Sequence, residues 1–291
     1  MMRKVLVTGA NGMLADAFLP LLRERGCDIT ATDIVAAPGI ARLDIRDKIC
    51  VEDFICSCKP DIVFHLAAET DVDKCEVDRA HALLTNAKGT EHVALGCRAA
   101  DAPLVYISSG AVFDGKKSLG YTEQDKPGPV SVYGSSKLQG EDTVKALLKK
   151  YFIIRAGWMI GGYNKDKKFV WKIIQLLRTK DEISVVTDKR GSPTFTRDLS
   201  RGILAIVDSR KYGTYHCVNK GICTRFEIAQ KIAELLDKKN VRIKPVSSAE
   251  FPLPAPRADS EALLNHNLSL LGIDVMRPWQ DALEEYIKDL P

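Results

Sequence analysis

Residues 4–15 read KVLVTGANGMLA. Lys4–Thr8 is a short apolar run that ends in Gly9, the pattern of a buried parallel strand. Leu14, Phe18, Leu21 and Leu22 then recur at helical spacing. A strand, a glycine turn and a helix in immediate succession commit the chain to a βα unit. Its helix N-terminus offers free N–H groups and a positive dipole end, which is a diphosphate site. Gly9 permits the tight turn, and Gly12 lets backbone approach a pyrophosphate. Ala15 is small enough to pack the helix against the strand. Asn11, Met13 and Leu14 complete the turn.

A second strand, Ile29–Thr32, carries Asp33 at its end. That carboxylate falls at the distance expected for an acceptor of a ribose 2′-hydroxyl, which favours NADH over NADPH. Two features compete: an Asp at a strand end is often a cap, and Arg42 stands near enough to accept a phosphate. Asp44 is a candidate for the adenine amino group, with Ile45 beside it. Ile62–Leu66 is a third strand. Leu66, Ala67, Ala68 and Thr70 follow its apolar run, and the small residues leave room for a flat cofactor. His65 reads as a packed core histidine. His81–Ala100 is a long helix with Asn86 near its start. Leu104–Ser108 and Phe152–Arg155 are further strands. Asn86 and Ser108 complete the candidate cofactor-binding set, together with Tyr133 and Lys137.

This alternation over residues 1–156 gives an α/β fold, a Rossmann-type doubly wound parallel sheet. Residues 157–291 read as a smaller C-terminal α/β substrate lobe over the sheet's carboxyl edge, with some segments returning to the sheet. The lobe contains helices at Phe169–Arg178, Asp198–Val207 and Trp279–Leu290. A capping box, Thr224-x-x-Glu227, opens another. Strands fall at Ile183–Val186, Thr214–Val218 and Val241–Val246. The basic stretch Lys165–Lys168 either steers a diphosphate or is a solvated loop.

The 291 residues suffice for one large core, and the net charge of +4 is dispersed. Nucleic acid is therefore not expected as a partner. No apolar run is long enough to span a bilayer, and the N-terminus starts directly on a strand without a signal peptide. The eight cysteines are scattered. Cys56-x-Cys58 lacks a second ligand pair, so no metal site is expected, and reduced thiols in a cytoplasmic protein are the plain reading.

Tyr133 and Lys137 lie four residues apart in VYGSSKLQGE. On a helix both face the same way. A phenol beside an ammonium is a proton donor of lowered pKa, suited to protonating an oxygen while hydride reaches the adjacent carbon. Ser109 ends the strand upstream, where a hydroxyl either bonds a substrate oxygen or caps the next turn.

The stretches VTGANGMLA, HLAAETDVDKCE, ISSGAVFDG, VSVYGSSKLQGE, RAGWMIGG, RGSPTFTRDLS and PRADSEALL together resemble the dTDP-4-dehydrorhamnose reductase family of the extended short-chain dehydrogenase/reductases. The resemblance implies NAD(P)H-dependent reduction of the C4 ketone of a nucleotide-linked 6-deoxy-4-ketohexose by a monomer or homodimer. Tyr133 is then the proton donor. Lys137 holds the nicotinamide ribose and lowers the Tyr133 pKa, and Ser109 is the third catalytic residue. Trp158 packs near the substrate and Arg257 meets its phosphates. The chain departs from the family at Gly110-Ala111, where Asp-Tyr is usual, which vacates space for a different ketosugar. Two alternatives stand beside this reading. One is a nucleotide-sugar epimerase or dehydratase; the other is a non-catalytic regulatory subunit resembling the methionine adenosyltransferase β subunit.

Overall fold

A computed structural model describes residues 3–166, 168–238 and 240–290. The chain begins β1 (Lys4–Thr8), α1 (Met13–Glu24), β2 (Asp28–Asp33), β3 (Ala41–Arg42), α2 (Lys48–Cys58) and β4 (Ile62–His65). Two short helices follow, α3 (Val72–Val77) and α4 (Arg79–Leu83). A π-helical turn at Leu84–Lys88 joins α4 to α5 (Gly89–Ala99). The first half closes with β5 (Leu104–Ser109), α6 (Val132–Leu147) and β6 (Tyr151–Ala156).

The second half runs β7 (Trp158–Ile160), α7 (Phe169–Thr179), β8 (Glu182–Val186), β9 (Arg190–Gly191), β10 (Pro193–Phe195) and α8 (Thr196–Ser209). Then come β11 (Gly213–His216), β12 (Cys223–Thr224), α9 (Arg225–Leu235) and β13 (Arg242–Val246). β14 (Ser260–Glu261), α10 (His266–Leu270) and α11 (Trp279–Lys288) complete the chain.

Seven parallel strands form the central sheet in the order β11-β6-β5-β4-β1-β2-β3. The order reverses between β1 and β4, the switch point where doubly wound sheets bind ligands. Side chains alternate across the sheet as strand geometry demands. Val105 and Ile107 of β5 pack into the layer formed with α1 and α8. Leu104 and Tyr106 of the same strand pack into the layer formed with α2, α5 and α6. β11 pairs with β6, and α8 supplies Leu199, Ile203 and Ile206 to the first layer, so residues beyond 157 return to the Rossmann core.

The lobe has its own apolar core. Ile173, Ile174 and Leu177 of α7 meet Ile228 and Ile232 of α9 and Leu283 of α11. Its small sheets are β7 with β10, β8 with β13, and β9 between β12 and β14. Among the described residues, no helix is long and apolar enough to cross a membrane.

Candidate active site

A cleft of about 1370 Å³ runs along the carboxyl ends of the central strands, between the sheet and the lobe. Its floor at the switch point is the glycine turn. Gly9 adopts φ +74°, and a Cβ there would lie 2.5 Å from the Ala67 amide nitrogen. Glycine is therefore required for the turn to lie flat on the Leu66–Ala67 backbone. Gly12 caps α1 without any side-chain hydrogen bond to the first-turn N–H groups. Those donors, with the helix dipole behind them, fit a pyrophosphate.

Two carboxylates of the cleft, Asp33 and Asp44, are already held in place. Asp33 accepts the Asn11 N–H at 3.0 Å and the Val35 N–H at 3.3 Å. The Asn11 side chain turns away to the Val35 carbonyl at 2.7 Å, so Asn11 braces Asp33 and is not part of the cleft wall. Asp44 is bound by Arg46 through Nε and Nη2 at 2.9 and 2.6 Å, and this pairing holds its carboxyl below the usual range. Met13, Leu14, Ile45, Leu66, Ala67, Ala68 and Thr70 line the cleft. Asn86 is fully buried and outside the wall. Its amide donates to the Glu69 carbonyl and to Ser136 Oγ, both at 3.0 Å, and its oxygen accepts the Glu69 N–H at 2.8 Å. Asn86 thus ties the 66–71 loop to α6.

Tyr133, Lys137 and Ser109 converge on one stretch of cleft. Ser131 caps α6 by accepting the Gly134 N–H at 3.1 Å, and Glu76 accepts the Val132 N–H at 3.0 Å. These two caps set the first turn, which carries Tyr133. The Ser109 hydroxyl accepts the Ala111 N–H at 3.2 Å and so caps the turn after β5. Burial pushes the Tyr133 phenol up to about 12, against a weaker lowering from Ser109. The expected lowering by Lys137 is not what the geometry gives. The Lys137 ammonium sits 4.2 Å over the face of Tyr106, and desolvation brings its own pKa down to about 7, against an opposing pull from Glu141.

Ser108 lines the cleft, but its hydroxyl is already engaged. Its hydroxyl donates to Glu141 at 2.6 Å. Glu141 also pairs with Arg155, Nε at 2.8 Å and Nη2 at 2.6 Å, with both side chains buried. Arg155 Nη1 in turn donates to His216 Nε2 at 3.4 Å. This buried chain joins α6, β5, β6 and β11 behind Tyr133 and Lys137. Sequence reading missed it, although Glu141 lies four residues after Lys137 and so on the same helix face.

The lobe supplies the opposite wall. Trp158 donates Nε1–H to Glu261 at 2.8 Å, and the Gly191 backbone covers one face of its indole. The Arg225 guanidinium covers the other face, 3.7 Å from the ring centroid and 4.9 Å from that of Phe169. Arg257 pairs with Asp73 at 2.9 Å and donates to the Ala255 carbonyl at 2.9 Å. Glu261 and Arg225 carried no signal in the sequence, because only the tertiary pairing of β9 with β12 and β14 brings them to Trp158. The space expected at Gly110 is filled: a Cβ there would lie 3.0 Å from the Glu261 carbonyl and 3.4 Å from Leu263. Ala111 does face the cleft. In the basic loop, Lys165 reaches Asp16 at 2.7 Å and the Asn11 carbonyl at 3.1 Å. Lys167 lies outside the described residues.

Comparison with known proteins places this geometry among relatives. The family model described as RmlD substrate binding domain matches residues 2–291. A dTDP-4-dehydrorhamnose reductase of Mycobacterium tuberculosis is 34% identical over 286 residues, covering 96% of this chain and 91% of the relative. A solved dTDP-4-dehydrorhamnose reductase from Clostridium acetobutylicum superposes with TM-score 0.92 at 39% identity, covering 98% of both chains. Another, from Bacillus anthracis in complex with NADP, gives TM-score 0.91 at 37% identity, covering 99% of this chain and 100% of the other.

Proposed function

The chain belongs to the RmlD substrate-binding-domain family, and from that premise we propose that it reduces the C4 ketone of a dTDP-linked 6-deoxy-4-ketohexose, as a dTDP-4-dehydrorhamnose reductase. The observation that carries this reading is the convergence of Tyr133, Ser109 and Lys137 on the cleft that also holds the glycine turn. The intact catalytic set and the reductase relatives together favour this activity over an epimerase, a dehydratase or a regulatory subunit.

The glycine turn and the uncapped N-terminus of α1 fit the pyrophosphate of a nicotinamide dinucleotide. Reduced nicotinamide supplies hydride, and the protein does the rest. Tyr133 donates its phenolic proton to the ketone oxygen, and Ser109 orients that oxygen through its hydroxyl. A phenol held near pKa 12 stays protonated across the neutral range, which suits a donor in reduction better than a base in oxidation. Lys137 places a cation one helical turn behind Tyr133 and holds the ribose. The lobe formed after residue 157 is the substrate-binding domain, with Trp158 against the sugar and Arg257 toward its phosphates. Among the described residues no cysteine forms a disulfide, consistent with a cytoplasmic enzyme.

Cofactor oxidation in the presence of dTDP-4-keto-6-deoxy-L-mannose tests the reading. Tyr133→Phe is expected to bind cofactor normally and to lose about 10²- to 10⁴-fold in kcat. A near-normal rate in the variant rejects Tyr133 as the donor. Asp33 sets the cofactor preference: its fixed carboxylate accepts a ribose 2′-hydroxyl and repels a 2′-phosphate. Fluorescence titration is expected to give tighter binding of NADH than of NADPH, and Asp33→Ala to shrink the ratio. Tighter NADPH binding by the unmodified protein rejects the assignment.

A further inference from the structure

Three arginines line the cleft: Arg46, Arg225 and Arg257. Arg46 is committed to Asp44, and Arg257 to Asp73. Arg225 is different. Among the described residues no hydrogen-bond or ion-pair partner is in contact with its guanidinium. The group is held instead against the rings of Trp158 and Phe169, with its Cζ 3.7 and 4.9 Å from their centroids. Desolvation there brings its pKa down to about 10. A partly buried guanidinium with unused donors is costly unless a ligand completes it.

Its position relative to the chemistry follows from Glu261. That carboxylate is close enough to Tyr133 to raise its pKa, and close enough to Arg225 to oppose the lowering there. It also holds the Trp158 indole. Glu261 thus holds Trp158, Trp158 carries Arg225, and all three line the same cleft as Tyr133. A nucleotide sugar bound in this cleft with its carbonyl at Tyr133 has Arg225 in the same wall. Planar stacked guanidinium with free forked donors is well matched to phosphoryl oxygens.

We propose that Arg225 is a further diphosphate-recognising residue of this cleft besides Arg257, donating from its position over the Trp158 ring to the phosphoryl oxygens of the nucleotide sugar. This rests on the nucleotide-sugar reading above. Arg225 thus sets affinity for the nucleotide half of the substrate and plays no part in proton transfer.

Calorimetric titration of the cofactor-loaded protein with dTDP and with thymidine tests it, using the unmodified chain, Arg225→Met and Arg225→Lys. Met keeps apolar packing against the rings and removes every donor. The expected result is roughly 10- to 100-fold weaker dTDP binding in Arg225→Met, with thymidine and NAD(P)H affinities unchanged. In turnover, KM for the ketosugar rises while kcat moves less than about threefold. Arg225→Lys is expected to recover only part of the loss, because an ammonium lacks the fork. Equal loss of thymidine and dTDP binding shows that Arg225 merely shapes the pocket and overturns the proposal. Unaltered dTDP affinity in Arg225→Met overturns it as well, while leaving the reductase reading intact if the unmodified enzyme turns over. Arg225-dependent dTDP binding without ketosugar reduction supports the proposal and removes the reductase reading instead.

Discussion

Lys137 is the side chain whose surroundings diverge furthest from what its spacing to Tyr133 announces. The pair was legible from residue types four apart, but the direction of the pKa shift was not. Spacing reports which side chains share a helix face, whereas the shift depends on desolvation by strands far away in the chain. Burial takes the ammonium down to about 7, and the negative charge of Glu141 works against that fall. Tyr133, near 12, does not titrate in the same range. The pH profile of kcat/KM for the cofactor reports groups of the free enzyme. It is expected to show an alkaline limb with its midpoint near pH 7, as the cationic form of Lys137 is lost, and no further limb below pH 10. Glu141→Gln removes the charge that favours the ammonium, so the limb moves to lower pH. A profile flat from pH 6 to 9 rejects Lys137 in its cationic form as the working species. The same substitution breaks a buried ion pair with Arg155, a loss typically worth about 3–5 kcal/mol of stability. The profile therefore has to be taken well below the variant's melting temperature.

Helix α6 carries Tyr133 and Lys137, and most of it was readable: the expected helix running to about Lys149 is observed as Val132–Leu147. Its close approach to the sheet was not readable. A Cβ on Gly140 would clash with the hydroxyl of Tyr106 and lie 3.0 Å from the Asn86 carbonyl. Tyr106 is fully buried, and its hydroxyl donates to the Lys137 carbonyl at 3.3 Å, so the ring has no room to step aside. Gly140→Ala is expected to push α6 off β5, destabilising the fold by about 1–3 kcal/mol as overpacking does. Because Tyr133 and Lys137 ride on the displaced helix, kcat falls too. A melting temperature and kcat equal to those of the unmodified protein would show that the helix can absorb the methyl group. The helix facing α6 gave a second surprise. His81–Ala100 reads as one amphipathic stretch, but Leu84–Lys88 forms a π-turn between α4 and α5. That turn holds Asn86, and an inserted residue of this kind leaves no mark on a hydrophobic period. β3 also escaped notice because it is two exposed residues long.

The Rossmann half was legible because β1, β4, β5 and β6 are short, mostly apolar runs that end at turn residues. The lobe was less so, since its strands of two and three residues find partners only after the fold has assembled. One consequence of that assembly is the sealing of two imidazoles in the interior. His65 lies between Thr8 Oγ1 at 2.8 Å and Thr90 Oγ1 at 3.1 Å. Thr90 spends its own proton on the Asn86 carbonyl at 2.7 Å. His65 therefore donates from Nε2 and accepts at Nδ1. His216 has the opposite tautomer: Nδ1–H faces the Tyr121 and Leu264 carbonyls at 3.1 and 3.2 Å, and Nε2 accepts from Arg155. The His216 Nε2 faces the donor-only Arg155 guanidinium, and burial holds both pKa values down to about 3. In the unfolded chain both titrate near 6.5. Between those values the unfolded state binds more protons, so stability is lost as pH falls below 6.5. At 1.36 kcal/mol per unit the loss reaches about 2 kcal/mol for each histidine by pH 5. Glu123, which accepts the His216 N–H and is raised by burial, works in the opposite direction and softens the slope. Urea unfolding at pH 7 and pH 5 is therefore expected to show a clear drop in stability. His216→Gln keeps an amide donor and acceptor but cannot titrate, and should remove about 2 kcal/mol of that drop whatever its own absolute stability. A variant with the same pH 7 to pH 5 difference as the unmodified protein would mean that His216 is already protonated in the fold, and that Arg155 is not its donor.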